Sequence, residues 1–127
     1  MTARTDYLKV LRWAATLVLA FILLAAGAAW AMIEWGIHSA QKSAAAQFPG
    51  RDSSQALIDL VNCEKCAMEQ RNRAVWTLGQ IREDRALPVL HKHFYDGPCN
   101  HSKYICQHEL RKALKRIESQ PPVHAKR

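Results

Sequence analysis

The sequence predicts an all-α protein in which a single transmembrane helix is followed by a short helical domain of two hairpins. Three observations support this fold class. Residues 14–33 form an apolar run without a charged residue, apolar residues recur at helical spacing between residues 52 and 119, and proline and glycine separate these segments. The chain has 127 residues, so the domain behind the span is small and needs additional stabilisation.

Residues 13–35 are the predicted transmembrane helix. At about 1.5 Å per residue, the apolar run is about 30 Å long, which matches the hydrocarbon core of a bilayer. Trp30 and Trp35 lie where indole rings favour the headgroup region. A cleaved signal peptide is the alternative, because Ala29 and Ala31 resemble a cleavage pattern. Since the apolar stretch is long for a signal peptide, a retained anchor is preferred.

Basic residues predict the orientation of this helix. Arg4, Lys9 and Arg12 precede the span, whereas only Lys42 follows it within a comparable distance. Basic residues concentrate on the cytoplasmic side, so residues 1–12 are predicted to be a cytoplasmic tail. We therefore expect a single-pass protein of the inner (cytoplasmic) membrane with a periplasmic or otherwise extracytoplasmic C-terminal domain.

Small side chains cluster in the outer half of the span, where they allow a neighbouring helix to approach closely. Two interpretations are open: lateral packing against a membrane partner, or simple tolerance of alanine in lipid. The predicted packing residues are Ala25, Ala26, Gly27 and Ala29.

Residues 36–51 are predicted to be a stalk or linker. Residues 34–47 contain several alanines and no proline, so the membrane helix is expected to continue beyond the lipid surface. Pro49 and Gly50 then end it and mark the start of the next domain.

Residues 52–119 are predicted to contain four helices. Asp52 resembles an N-cap, and Gln55 three residues later would complete a capping box. The apolar face of the first helix is predicted to comprise Ala56, Leu57, Leu60 and Val61. The second helix is expected from Met68 to Arg82, with its arginines Arg71, Arg73 and Arg82 pointing outward.

The third helix is predicted over residues 85–94 and the fourth over residues 102–118, with a turn-rich loop over residues 95–101 between them. A mobile tail is expected over residues 120–127. The fourth helix has a predicted basic outer face formed by Arg111, Lys112, Lys115 and Arg116. Two interpretations of this face are open: a lipid-binding surface or simply a solvated helix face. The net charge of +7, most of it in the exported part, favours phospholipid headgroups or an acidic protein surface over nucleic acid as partners.

The segment RNRAVWTLGQIREDRALPVL, Arg71 to Leu90, resembles HEAT repeats of the short, lyase-associated type. Residues 56–60 and residues 86–90 also match in residue type, as expected for two related hairpins. This resemblance implies that the domain is an adaptor, with a scaffold or protein-binding surface, and not a catalyst of a reaction. Solenoids usually need three or more repeats, so disulfides or a partner would have to stabilise a two-repeat domain.

The chain has four cysteines, all within the predicted exported domain: Cys63, Cys66, Cys99 and Cys106. An even set in an oxidising compartment favours two disulfides. Bridges from the Cys63/Cys66 turn to the Cys99/Cys106 region are preferred, because stacked hairpins bring equivalent loops together. Local pairing within each of these two regions is also open.

A zinc site is an alternative use of the same cysteines. Its predicted ligands are drawn from Cys63, Cys66, Cys99, Cys106, His101 and His108. A redox-active C-x-x-C at Cys63 and Cys66 is a further alternative, although no strand pattern surrounds it. Haem attachment is excluded, because Ala67 stands where C-x-x-C-H requires histidine.

No nucleophile–base arrangement, carboxylate pair or glycine-rich phosphate loop stands out, so the protein is predicted not to be an enzyme and to need no cofactor. We expect a membrane-anchored, protein-binding adaptor, an accessory or assembly subunit of a larger membrane complex. Its expected partners are integral membrane subunits and membrane lipid, without nucleic acid. The alternative is a membrane-tethered thiol oxidoreductase or zinc-binding protein that uses Cys63 and Cys66 with Cys99 and Cys106.

Overall fold

The structure, a computed structural model, describes the backbone of residues 2–119 and the side chains of residues 6–119; the predicted tail 120–127 lies outside this range. All regular secondary structure in the described part is helical, which confirms the all-α prediction. The elements are α1 (Thr2–Gln47), α2 (Ser53–Asn62), α3 (Met68–Ile81), a 3-10 turn (Asp84–Ala86), α4 (Leu87–His93) and α5 (Gln107–Glu118). The chain divides into two compact units between Trp35 and Gly36.

The first unit is the N-terminal part of α1, which is long and apolar enough to span a membrane. Its large apolar side chains are exposed, with Phe21 and Leu24 both 73% accessible. Thr16 supplies the only hydroxyl in the apolar run, and this hydroxyl donates to the carbonyl of Trp13 at 2.8 Å. The polar group is therefore satisfied within the helix, as a lipid environment requires.

The second unit begins with the last turns of α1. Ala40 and Ala44 are buried, at 4% and 0% accessibility, and belong to the core of this unit. Residues 36–47 are therefore helical, as expected for a stalk, but they also form part of the packed domain. Pro49 and Gly50 follow the end of the helix, and Gly50 has a φ of 82° that favours glycine.

The core lies between α2, α3, α4 and α5. Helix α3 packs against both α2 and α5, and α4 contacts α5 and α2. Gly79 allows a close crossing of α3 and α5, because a Cβ atom there would lie 2.8 Å from the Cα of Ala113. The largest fully buried apolar side chains are Leu57, Val61, Val75, Leu78, Leu90 and Leu110.

The start of α2 has half of the predicted capping box. The Asp52 carboxylate accepts from the backbone N–H groups of Ser54 and Gln55 at 3.1 and 3.0 Å. The Gln55 side chain does not complete the box, since it donates to the carboxylate of Asp59 at 3.0 Å.

Arg71 corrects the prediction of an outward arginine. It is only 7% accessible, and its Nε donates to the carbonyl of Val61 at 2.9 Å. The last carbonyls of a helix have no intrahelical donor. Arg71 of α3 therefore supplies a donor to the C-terminal end of α2.

The loop before α5 is longer than predicted, because the fourth helix begins at Gln107 instead of residue 102. The Asn100 side chain accepts from the backbone N–H and the hydroxyl of Ser102 at 3.3 and 2.8 Å. Its carbonyl accepts from the N–H groups of Lys103 and Tyr104. These bonds form a local turn that competes with a helix start.

Candidate functional site

The second unit contains an open cleft of about 690 Å³. It is bordered by the α2–α3 turn, by α3, by the end of α4 and by the loop before α5. The residues that line it are Glu64, Met68, Arg71, Lys92, His93, Tyr95, Lys103, Tyr104 and Ile105. The cleft therefore combines segments that are far apart in the sequence.

The electrostatic character of the cleft is basic. Arg71, Lys92 and Lys103 are cationic, and Glu64 is the acidic residue among the lining residues. The ion pairs within residues 6–119 involve other basic side chains, so neither Lys92 nor Lys103 has a carboxylate partner there. Burial, together with the nearby charges of Arg71 and Lys92, lowers the pKa of His93. The cleft is suited to an anionic group.

One wall of the cleft is aromatic. The rings of Tyr95 and Tyr104 meet edge to face, with centroids 5.8 Å apart and an interplanar angle of 74°. The Tyr95 hydroxyl donates to the carbonyl of Pro98 at 3.2 Å, which fixes the direction of the ring. Tyrosine is enriched at surfaces that bind proteins and at their hot spots.

Gln107 holds this wall in place. It is 1% accessible, and its Oε1 accepts from the backbone N–H of Tyr95 at 2.9 Å. Its Nε2 donates to the carbonyls of His93 and Ile105 at 3.1 and 3.0 Å. One buried amide therefore ties both ends of the loop. Sequence reasoning missed Gln107, because a glutamine in the first turn of a helix carries no pattern that predicts burial.

Asn72 of α3 supports the start of α5. Its Oδ1 accepts from the backbone N–H of Cys106 at 2.8 Å, and the side chain of Cys106 makes no capping hydrogen bond of its own. This contact connects residues 34 positions apart, so it gives no local signal in the sequence.

Cys63 and Cys66 form a disulfide that closes the turn between α2 and α3. The preferred bridges between the two cysteine regions were therefore wrong, and the local alternative holds for this pair. A four-residue turn brings its ends together without help from the hairpins. Because both sulfurs are bonded, neither one is a thiolate ligand for the predicted zinc site or a free redox thiol in this state.

Cys99 and Cys106 are unbonded but adjacent, with their Sγ atoms 3.0 Å apart. Cys99 is exposed, whereas Cys106 is buried. Hydrogen bonds from Cys106 and from the backbone N–H of His108 lower the pKa of Cys99, and burial raises the pKa of Cys106. Of the predicted zinc ligands, Cys99, His101 and Cys106 have ligand atoms within 4.8 Å of one another.

The predicted basic face is exposed and partly neutralised. Arg111 pairs with Asp96 and lies 6.0 Å from the Phe94 ring centroid, and Lys112 pairs with Glu109 at 3.4 Å. Lys115 and Arg116 are exposed. The predicted membrane packing residues are also exposed: Ala25, Ala26, Gly27 and Ala29.

Comparisons with known protein families, curated proteins and solved structures found no match. Functional conclusions for this chain therefore depend on its own residues and their geometry.

Proposed function

We propose that the protein is a single-pass membrane adaptor, an accessory or assembly subunit of a membrane complex. In this proposal its helical domain lies on the extracytoplasmic side and binds an acidic segment of a partner subunit. The observation that carries the proposal is the basic cleft, in which Lys92 and Lys103 lack carboxylate partners within residues 6–119 and adjoin a tyrosine pair. Complementary charge would orient the partner, and the aromatic rings would supply apolar contact.

The apolar part of α1 supports the anchor. Its exposed large side chains would be stable in lipid but costly in water. Arg4, Lys9 and Arg12 before the span support a cytoplasmic N-terminus. Anchoring raises the effective concentration of a weak binding site against neighbours in the same membrane. A cleft of modest affinity is therefore sufficient for an adaptor.

Helix packing is consistent with two HEAT-like hairpins, α2 with α3 and α4 with α5. Contacts occur within each pair, and α3 contacts α5 between the pairs. A domain of two repeats exposes apolar surface at its ends. Ala40 and Ala44 at the end of α1 join the core, and the disulfide closes the α2–α3 turn, so both features compensate for the missing repeats.

A charge reversal in the cleft tests the adaptor proposal. The full-length variant Lys92→Glu/Lys103→Glu, expressed in its own membrane and extracted with detergent, should recover its partner subunit at least about tenfold less than the native chain. The matched control is Lys115→Glu/Arg116→Glu, which changes the net charge equally on the outer face of α5 and should retain the partner.

Equal recovery by both variants would contradict a role for the cleft. If the cleft variant instead loses binding only to vesicles of anionic phospholipid, the cleft is a lipid site and the protein-binding proposal fails.

A further inference from the structure

The second cysteine pair carries an inference that is independent of the adaptor proposal. The two sulfurs lie 3.0 Å apart although no bond joins them. Tetrahedral zinc with bonds of about 2.3 Å separates two thiolates by about 3.8 Å. The observed separation lies between that value and the S–S bond length of about 2.0 Å in a disulfide. The two sulfurs are therefore close enough to bond to each other after a small approach.

Hydrogen bonds from neighbouring residues keep Cys99 and Cys106 close together although no covalent bond joins their sulfurs. Asn72 accepts from the backbone N–H of Cys106 at 2.8 Å, and Gln107 ties both ends of the loop. The turn at Asn100 positions the residues after Cys99. If these two cysteines form a disulfide, its reduction would therefore leave the loop conformation unchanged.

The two thiols have different surroundings. Cys99 is exposed, and its Sγ accepts from the backbone N–H of His108 at 3.3 Å, in the first turn of α5. Cys99 is therefore the sulfur of this pair that an outside disulfide can reach, and a backbone N–H group is already directed at it. Cys106 is buried, so its sulfur is poorly accessible to reactants in solution.

We propose that Cys99 and Cys106 form a thiol–disulfide exchange site that acts on a disulfide of a partner protein. The Cys99 thiolate bonds to one sulfur of that disulfide, breaks its S–S bond and releases the other sulfur as a thiolate. Cys106 then loses its proton and attacks the Sγ of Cys99, which breaks the mixed disulfide and releases the second partner thiolate. Two electrons pass to the partner, the thiol protons go to its sulfurs, and Cys99–Cys106 becomes the disulfide.

Glutathione disulfide is a suitable probe for this site. The full-length protein in detergent is first reduced and then exposed to the probe, and peptide mapping by mass spectrometry locates each adduct. Cys106→Ser should accumulate one glutathione on Cys99, because the resolving thiol is absent. The matched variant Cys99→Ser should react at Cys106 at least about tenfold more slowly, since that thiol is buried. The native chain should give the internal disulfide without a lasting adduct.

Alkylation of the reduced native chain tests the same asymmetry without a variant. One of these two thiols should react quickly and the other slowly. Equal reactivity of Cys99 and Cys106 would overturn the proposal, as would a native chain that fails to form the internal disulfide. One tightly bound zinc ion per chain that is lost in both variants and in His101→Ala would assign the cluster to metal binding and equally overturn it.

Discussion

Polar side chains with little or partial exposure bond backbone groups that the helices leave without partners. Arg71 donates to the carbonyl of Val61, and Asn72 accepts from the N–H of Cys106. Gln107 bonds three backbone groups at the two ends of the loop before α5. Most of these contacts join elements that are separate in the sequence. In the second unit, hydrogen bonds from polar side chains therefore fix the positions of the loops against the apolar core.

Gln107→Leu should destabilise the domain by about 2 kcal/mol, because it leaves one backbone N–H and two carbonyls of the loop without their buried partner. Urea unfolding of the full-length chain, followed by tyrosine and tryptophan fluorescence, measures this change. The control Gln70→Leu lies on an exposed position of α3 and should change stability by less than about 0.5 kcal/mol. Equal effects of the two variants would contradict the assigned role of Gln107.

A pH-dependent ion cluster joins the start of α2 to the 3-10 turn. Arg85 contacts the carboxylate of Glu83 at 2.9 Å and that of Asp52 at 3.2 Å. Hydrogen bonding from Arg85 lowers the pKa of Glu83 from 4.5 to about 2. A lowered carboxyl pKa stabilises the fold above pH 4.5, and this stabilisation is lost as the pH falls towards about 2.

Glu83→Gln should therefore cost about 1 kcal/mol at pH 7, a value reduced from the full shift because Arg85 is half exposed. The difference from the native chain should shrink steadily between pH 4.5 and about pH 2. A double-mutant cycle with Arg85→Gln, measured by urea unfolding at each pH, isolates the pair. A coupling free energy that stays constant with pH would contradict an ionic origin of the stabilisation.

At the scale of helices, the close crossing of α3 and α5 leaves no room for a side chain at the crossing point. The crossing is permitted by Gly79, which faces the backbone and side chain of Ala113. Helix propensity alone would favour alanine at position 79 by about 1 kcal/mol. Packing opposes it, since the added methyl group would lie 2.8 Å from the Cα of Ala113.

Gly79→Ala should thus destabilise the domain by about 1 to 3 kcal/mol despite its better helix propensity. The control Gly36→Ala places a Cβ atom 3.4 Å from the Trp76 ring, a normal contact, and should leave stability unchanged or raise it. Thermal unfolding monitored by circular dichroism distinguishes the two. A stabilised Gly79→Ala chain would mean that α3 and α5 lie further apart.

Helical spacing predicted these elements better than it predicted their ends. The predicted apolar residues Leu57, Leu60 and Val61 are buried, because periodicity records which face of a helix avoids water. The predicted start of α5 was five residues too early, since the turn at Asn100 depends on side-chain hydrogen bonds and not on hydrophobicity. The cleft was not predicted at all, because Glu64, Lys92 and Lys103 meet only after folding.

At the scale of the whole molecule, the apolar run predicted the long N-terminal helix well, because length and hydropathy are local properties. The cysteine pairing was predicted less well. Equivalent loops of stacked hairpins suggested long-range bridges, but Cys63 bonds to Cys66 within one turn. A disulfide requires its two Cα atoms to lie within about 7 Å, and the cysteine pairs that satisfy this distance are known only from the folded structure.

The proposed topology predicts the accessibility of each end of the chain in spheroplasts. A membrane-impermeant lysine reagent should label Lys92 and Lys103 in intact spheroplasts, whereas Lys9 should react only after the membrane is permeabilised. Mass spectrometry of the labelled peptides gives the result directly. Labelling of Lys9 alone in intact spheroplasts would reverse the orientation and remove the basis for an extracytoplasmic adaptor.

The most direct measurement of the adaptor proposal is photo-crosslinking from the cleft in the native membrane. A photoreactive amino acid at position 68, which lines the cleft without contributing charge, should form a crosslink to an acidic segment of one membrane protein. The Lys92→Glu substitution should abolish this crosslink. The same photoreactive group at position 116, on the outer face of α5, should form no such product. Crosslinking of the same partner from position 116 but not from position 68 would contradict binding in the cleft.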